Sequence, residues 1–366
     1  MKNVVVCCDG TANEFARDRT NVVKLFYALD HDAARQIAFY HPGLGTMEPP
    51  GALTGFAKRI TRLLGKAVGY GLEADVRDAY VFLMNQFEPE DRLYLFGFSR
   101  GAYTVRVVAS LLHMYGLLPR GNEALVPYAI RMMTAEGEER FRLAAQFRDT
   151  FARPCKPWFV GLWDTVSSVG WIDHPLKVPF TANNPDIANG RQAISIDEQR
   201  AFFRQNLWRH STPAPGAAPA PAGPQDVKQV WFPGVHCDVG GGYAEAESGL
   251  AKVALAWMLA EAHSRGLLLD KMRTDLVLGK SGKGYVAPDT GAAMHQSLTP
   301  GWWPAEFVPK RHFDTRTGQT GYRMNLFRRR VIPPGSSIHE AAFRRGADYQ
   351  RRLPPDAVFV SSLPLP

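Results

Sequence analysis

Short apolar runs, each stopped by turn-forming residues, alternate along this chain with longer segments whose apolar positions recur at helical spacing. Asn3 to Cys8 (N-V-V-V-C-C) ends at Asp9-Gly10-Thr11, the pattern of a buried strand running into a turn. The same pattern returns at Gln36 to Tyr40 before His41-Pro42-Gly43 and at Arg92 to Phe96 before Gly97. It appears again at Trp158 to Trp163 before Asp164-Thr165 and at Val227 to Phe232 before Pro233-Gly234. Helical patterns fill the intervals at Asn21 to Leu29, Ala67 to Phe87, Gly101 to Leu118 and Leu250 to Arg265. Strands alternating with helices predict an α/β fold with a mostly parallel sheet and helices on both faces. In such folds the functional groups collect at the carboxyl ends of the strands.

Two stretches break the alternation. Leu118 to Arg153 is charged and contains methionines, and Gly170 to Leu207 reads as a loop that becomes helical; both are expected as lid-like insertions above the strand ends. Thr212 to Pro224, rich in Pro and Ala, reads as an exposed connection. No tandem repeat is visible.

Composition leaves the class unchanged. With 366 residues, 45% hydrophobic and 21% charged, the chain has ample material for a core and an ordinary globular balance. Charge adds something, because residues 299–366 hold eleven basic and five acidic side chains, so most of the net +8 lies in the tail. That field suits anionic lipid headgroups or nucleic acid, and charge alone does not separate them. The Val-rich run after Met1-Lys2 is too short for a secretory signal, and no apolar stretch is long enough to cross a bilayer, so a soluble, cytoplasmic protein is expected. Cys7, Cys8, Cys155 and Cys237 lack paired metal spacing and read as buried free thiols.

Gly97-Phe98-Ser99-Arg100-Gly101 fits the nucleophile-elbow pattern G-x-S-x-G, with a strand before it and a helix after. Gly97 and Gly101 let the chain turn sharply, and the Arg100 amide at the helix start would face a developing oxyanion. A serine hydroxyl needs a histidine to take its proton and a carboxylate to orient that histidine. His236 is delivered by Trp231 to Val235 into a glycine-rich loop that contains Asp238, which sits too close in sequence to bond it well. Asp164 ends an apolar run and leads into small residues, Thr165 to Ser168. Its rivals for the acid are Asp9, Asp238 and Asp197, the last read as a helix cap. The chain order Ser99, Asp164, His236 is that of α/β-hydrolases. The second oxyanion amide is expected from Gly10 or Thr11, with Asp9 and Asn13 shaping that loop.

Other chemistries fit less well. In the phosphatase motif D-x-D-G-T the nucleophilic aspartate would fall on Cys7, which removes its carboxylate. No phosphate loop of the form G-x-x-x-x-G-K-S/T exists, and the Gly65 to Gly71 glycines read as close helix packing. No second histidine-carboxylate cluster accompanies His236, so neither metal nor cofactor is expected.

The segments Val6 to Asn13, Gly97 to Tyr103, Gly161 to Val166 and Pro233 to Tyr243, taken in order, resemble the uncharacterised α/β-hydrolase family that includes the catalytic domain of Tle1-type phospholipase effectors of type VI secretion. The resemblance covers roughly residues 1–265. It implies a Ser-Asp-His esterase cleaving acyl esters of glycerophospholipids, carried onto Ser99, Asp164 and His236. It also implies an ester or phospholipid substrate, contact with an anionic membrane surface, a secretion or immunity partner, signal-independent export, and no nucleic acid. Leu118 to Arg153, Trp302-Trp303 and the basic tail are the candidate interfacial contacts. The expected organisation is a catalytic domain over 1–298, with insertions near 118–153 and 170–225, and a basic extension over 299–366. A water-soluble carboxylesterase and a non-catalytic binding protein on the same scaffold remain the alternatives.

Overall fold

The computed structural model describes residues 1–10, 19–43, 55–166, 170–171, 174–175, 178–209, 225–282, 284–313 and 320–365. The chain runs β1 (Asn3–Cys8), α1 (Asn21–Ala28), β2 (Gln36–His41), α2 (Gly55–Gln86), β3 (Arg92–Phe98) and α3 (Arg100–Tyr115). Two helices follow, α4 (Val126–Thr134) and α5 (Glu139–Phe151), then β4 (Pro157–Trp163) and a short antiparallel pair, β5 (Gly170–Trp171) with β6 (His174–Pro175). Next come β7 (Asn189–Ser195), β8 (Asp226–Phe232), α6 (His236–Gly240), α7 (Gly249–His263) and α8 (Lys271–Val277). The tail adds a second hairpin, β9 (Lys310–Phe313) and β10 (Thr320–Arg323), and the strands β11 (Ser337–His339) and β12 (Val358–Val360).

Eight strands form one sheet in the order β12-β11-β8-β7-β4-β3-β1-β2, and every pairing within it is parallel. This is an α/β-hydrolase-like open sheet. Alternation along β1 shows how it is buried: Val4, Val6 and Cys8 point into a core shared with α2, α3, α4 and α5. Val5 and Cys7 point into the opposite core, shared with α1 and α7. From β1 the chain goes outward to edge strand β2 and then returns to β3 on the other side. The strand order therefore reverses between β1 and β3, and near their carboxyl ends Cys8 and Gly97 are register partners. Open α/β sheets place their sites in such a crevice.

Two expectations for 170–207 are corrected. The segment carries a strand, β7, at the centre of the sheet between β4 and β8, and no helix is formed among its described residues. Its sequence, N-G-R-Q-A-I-S, looks too polar for a central strand, yet all seven residues are buried. Each polar group has a partner: Asn189 Nδ2 donates to the Trp158 carbonyl at 2.8 Å, Gln192 accepts from Arg106 at 2.8 Å, and Arg191 pairs with Glu261 at 2.5 Å and Asp226 at 2.6 Å. A buried arginine is tolerated on these terms because its charge is matched and its donors are satisfied. The 299–366 tail supplies β11 and β12, so it extends the same sheet. The Thr212 to Pro224 connection lies outside the described residues, as do the side chains of Gly65 to Tyr70. The four cysteines are free, and burial raises the pKa of each.

Candidate active site

The backbone ladder continues one residue past β3 and β4. The Ser99 amide donates to the Trp163 carbonyl at 3.1 Å, and the Asp164 amide donates to the Ala193 carbonyl at 2.7 Å. Both residues adopt positive φ, 58° at Ser99 and 38° at Asp164. Left-handed backbone at a non-glycine residue is strained, and it lifts each side chain above the sheet edge. The bend at Ser99 needs its two glycines. A Cβ on Gly97 would lie 2.5 Å from the Gly101 carbonyl oxygen, and one on Gly101 would lie 2.1 Å from that of Cys8.

His236 arrives from β8. It is the first residue of the one-turn helix α6, not part of the flexible glycine loop expected from the sequence. Its Nε2 stands 2.8 Å from Ser99 Oγ, and its Nδ1 stands 2.5 Å from Asp164 Oδ2. Asp164 and His236 are 1% and 3% exposed. The structure thus brings the three sequence-predicted residues into one hydrogen-bonded chain.

The family model described as the type VI secretion system phospholipase effector Tle1-like catalytic domain matches residues 2–261. The chain belongs to this family. An uncharacterized protein of Saccharomyces cerevisiae, YEL023C, is 36% identical over an alignment of 231 residues that covers 58% of this chain and 33% of that protein. Two solved structures are similar. An uncharacterized protein from Pseudomonas aeruginosa shares 19% identity, with 78% of this chain and 49% of that chain covered and a TM-score of 0.43. The Tle1 effector bound to the VgrG spike of the type 6 secretion system shares 17% identity, with 68% and 52% covered and a TM-score of 0.36. The chain therefore spans about a third of the yeast relative and about half of each solved chain.

In this Tle1-like domain the electrostatics of the triplet are set by burial and a few charges. Burial alone would raise the Asp164 carboxyl, but the Arg330 guanidinium and the hydrogen bond from His236 overcome it and hold the group well below the usual carboxylate range. Burial pulls the His236 imidazole below its usual value, opposed by Asp164. A neutral imidazole beside an ionised carboxylate is the state that can accept a proton from a hydroxyl. Glu198 and Arg200 face the histidine from the segment after β7. Glu198 Oε2 accepts the His236 amide at 3.3 Å, and the Arg200 guanidinium stacks over Phe203 with its Cζ 3.5 Å from the ring centroid.

The remaining sequence-predicted residues fall as follows. Arg100 opens α3, so its amide sits at the positive end of a sixteen-residue helix, while burial lowers its guanidinium to about 10. The Gly10 amide is engaged, donating to Oδ1 of Asp9 at 2.7 Å, which counts against it as an oxyanion donor. Asp9 Oδ2 accepts from Thr20 Oγ1 at 2.5 Å and from the Tyr40 hydroxyl at 2.9 Å, anchoring the end of β1. Thr11, Asn13, Ser167 and Ser168 lie outside the described residues. Asp238 Oδ2 accepts the Val235 amide at 3.0 Å, and its Oδ1 pairs with His295 Nδ1 at 2.6 Å, so it braces α6. Asp197 caps no helix. It accepts the Gly234 amide at 2.9 Å and the Tyr349 hydroxyl at 2.6 Å, tying the β8 turn to the tail.

Two residues that grip the Asp164 carboxylate escaped the sequence. Ser195 ends the unrecognised strand β7 and donates its amide to Asp164 Oδ1 at 2.9 Å and its hydroxyl to Oδ2 at 3.1 Å. Arg330, the last of an R-R-R run in the tail, reaches both Asp164 oxygens. Nothing in the run distinguishes it from its two exposed neighbours. Among the described residues no group of three or more His, Cys, Asp and Glu is arranged to hold a metal ion, and no helix is long and apolar enough to cross a membrane.

Proposed function

We propose that this chain is a serine hydrolase that cleaves acyl esters of glycerophospholipids, in the manner of a phospholipase A. The observation that carries this reading is the chain of contacts from Ser99 Oγ through His236 to Asp164 at 2.8 and 2.5 Å. Ser99 attacks the ester carbonyl as His236 Nε2 takes its proton, and Asp164 holds the imidazole through Nδ1 and stabilises the imidazolium. The Arg100 amide at the start of α3 supports the oxyanion. His236 then protonates the departing alcohol, and water, activated by the same nitrogen, releases the fatty acid from Ser99.

A lipid surface as substrate is supported by the tail. Trp303, Phe307, Leu326 and Phe327 are 37 to 51% exposed, and the Phe327 ring packs against Trp303 at 6.0 Å and Phe307 at 5.6 Å. Leu326 and Phe327 are held outward at positive φ, 49° and 59°. Buried Glu306 fixes the bend: its carbonyl accepts the Leu326 amide at 3.2 Å and its Oε2 the Phe327 amide at 3.0 Å. Its Oε1 takes the Ala201 amide at 2.7 Å, two residues before the Phe203 that packs on His236. Exposed Arg323, Arg328 and Arg329 flank the patch. Aromatic and apolar side chains ringed by arginine suit an anionic phospholipid interface.

The test compares wild type, Ser99→Ala and Trp303→Asp/Phe307→Asp on anionic phospholipid vesicles and on a soluble short-chain ester. Ser99→Ala should lose both activities, and the double variant should lose vesicle hydrolysis alone. Vesicle hydrolysis that survives Ser99→Ala overturns the mechanism. Equal loss of both substrates by the double variant overturns the interfacial role.

A further inference from the structure

Arg330 reaches the triad from a position 166 residues beyond Asp164 and outside the span matched by the family model. Nη1 donates to Asp164 Oδ1 and Nη2 to Oδ2, the latter at 3.1 Å. Nη1 also donates to the Ser195 carbonyl at 3.1 Å and hydroxyl oxygen at 2.7 Å, and Nε to the Phe203 carbonyl at 3.2 Å. The side chain is 4% exposed, so its donors are spent inside the protein and none is offered to substrate. A planar fork that meets both oxygens of a carboxylate sets its rotation as well as its charge. Asp164 has need of both. Its backbone is strained, and Oδ2 must point at His236 while Oδ1 is kept away.

We propose that Arg330 is a positioning residue of the catalytic machinery: it locks the Asp164 carboxylate in the ionised, rotated state that orients His236, which makes the C-terminal extension a working part of the site. This rests on the reading of Ser99, Asp164 and His236 as a triad. Among the described residues, the groups facing Asp164 are His236 and Cys237 of α6, Ser195 of β7 and Arg330. Glu198 and Arg200, after β7, face His236 in turn. Among these, Arg330 is the cation that offsets the burial of Asp164 when His236 is neutral. Without it, burial raises the carboxyl and the Asp164–His236 pair takes up a proton at higher pH.

A cavity of about 340 Å³ borders Arg330 beside Ile196, Arg329, Ile332, Arg352 and Leu353, which gives a small cation a route to the place Arg330 would vacate. The test measures hydrolysis of a soluble ester by Arg330→Ala and Arg330→Lys, with and without guanidinium chloride at concentrations below those that unfold the protein. Arg330→Ala should lose about 10²-fold in kcat with KM little changed, and the acid limb of its pH profile should rise by about one unit or more. Guanidinium should restore part of the rate. Arg330→Lys, which keeps charge without the fork, should keep the acid limb near its original place and recover part of kcat. The inference is overturned if folded Arg330→Ala keeps wild-type kcat and acid limb. It is also overturned if Arg330→Ala loses rate only in proportion to lost folded protein in thermal melts, with the acid limb unmoved and no rescue. Ser99→Ala, run alongside, separates the two readings: its inactivity beside an unaffected Arg330→Ala refutes this inference alone, and its activity refutes the triad.

Discussion

Phe203 meets His236 edge to face, with ring centroids 4.9 Å apart and planes at 71°. Trp302 packs against Phe203 in turn, with ring centroids 5.6 Å apart at 86°. These rings shield the imidazole from water, and burial is the main reason its pKa is lowered. Phe203→Ala should admit water and let that pKa climb toward its ordinary value. In the proposed mechanism the neutral form is the active one, so the acid limb of kcat/KM should move to higher pH, with a loss of up to about fourfold in rate at pH 6 and little at pH 8. A pH–rate profile of the variant on a soluble ester checks both the direction and the pH dependence of the loss.

The elbow tolerates no Cβ at its second glycine. At 2.1 Å from the Cys8 carbonyl oxygen and 2.5 Å from that of Asp9, a methyl at position 101 must push α3 away from the end of β1. Gly101→Ala should cost about 1–3 kcal/mol in denaturant unfolding. It should also abolish activity even where the protein stays folded, because Ser99 is carried on the displaced turn.

How much of this was legible in sequence depended on what each strand displays. β1, β3, β4 and β8 announce themselves as apolar runs ending in turns, so the places of Ser99, Asp164 and His236 at successive strand ends could be read directly. β7 could not. Its burial rests on Arg191 meeting Glu261 and Asp226, partners 70 and 35 residues away, and polarity alone argued for a loop. Missing β7 also hid Ser195. Arg330 was invisible for a related reason: an arginine that crosses from the tail to a buried carboxylate looks, in sequence, like one more charge on a basic surface. The glycines after His236 suggested a mobile loop, whereas Asp238 and His295 fasten the turn as helix α6.

His339 offers a test of how the tail strands are fixed. It is buried, stacks on Phe232 with centroids 4.7 Å apart, accepts the Ala341 amide at Nδ1 at 3.2 Å and faces the Ser362 hydroxyl through Nε2 at 3.0 Å. An Nδ1 that accepts an amide must be unprotonated, and burial lowers the pKa from 6.5 to about 4. Between these values the unfolded chain binds a proton that the folded chain excludes. Stability should therefore fall as pH drops from 6.5 to 4, by about 3 kcal/mol from this group. Urea unfolding of wild type and His339→Gln across that window checks it, with the shallower slope expected in the variant.

The proposed hydrolysis depends on Ser99 acting as the nucleophile, activated by His236 and Asp164. Its most direct test is covalent labelling by a fluorophosphonate probe, with the modified residue located by peptide mass spectrometry. A single adduct on Ser99 is expected, with labelling slowed by about 10³-fold or more in His236→Ala and none in Ser99→Ala. An adduct on another residue, or undiminished labelling of Ser99→Ala, would contradict it.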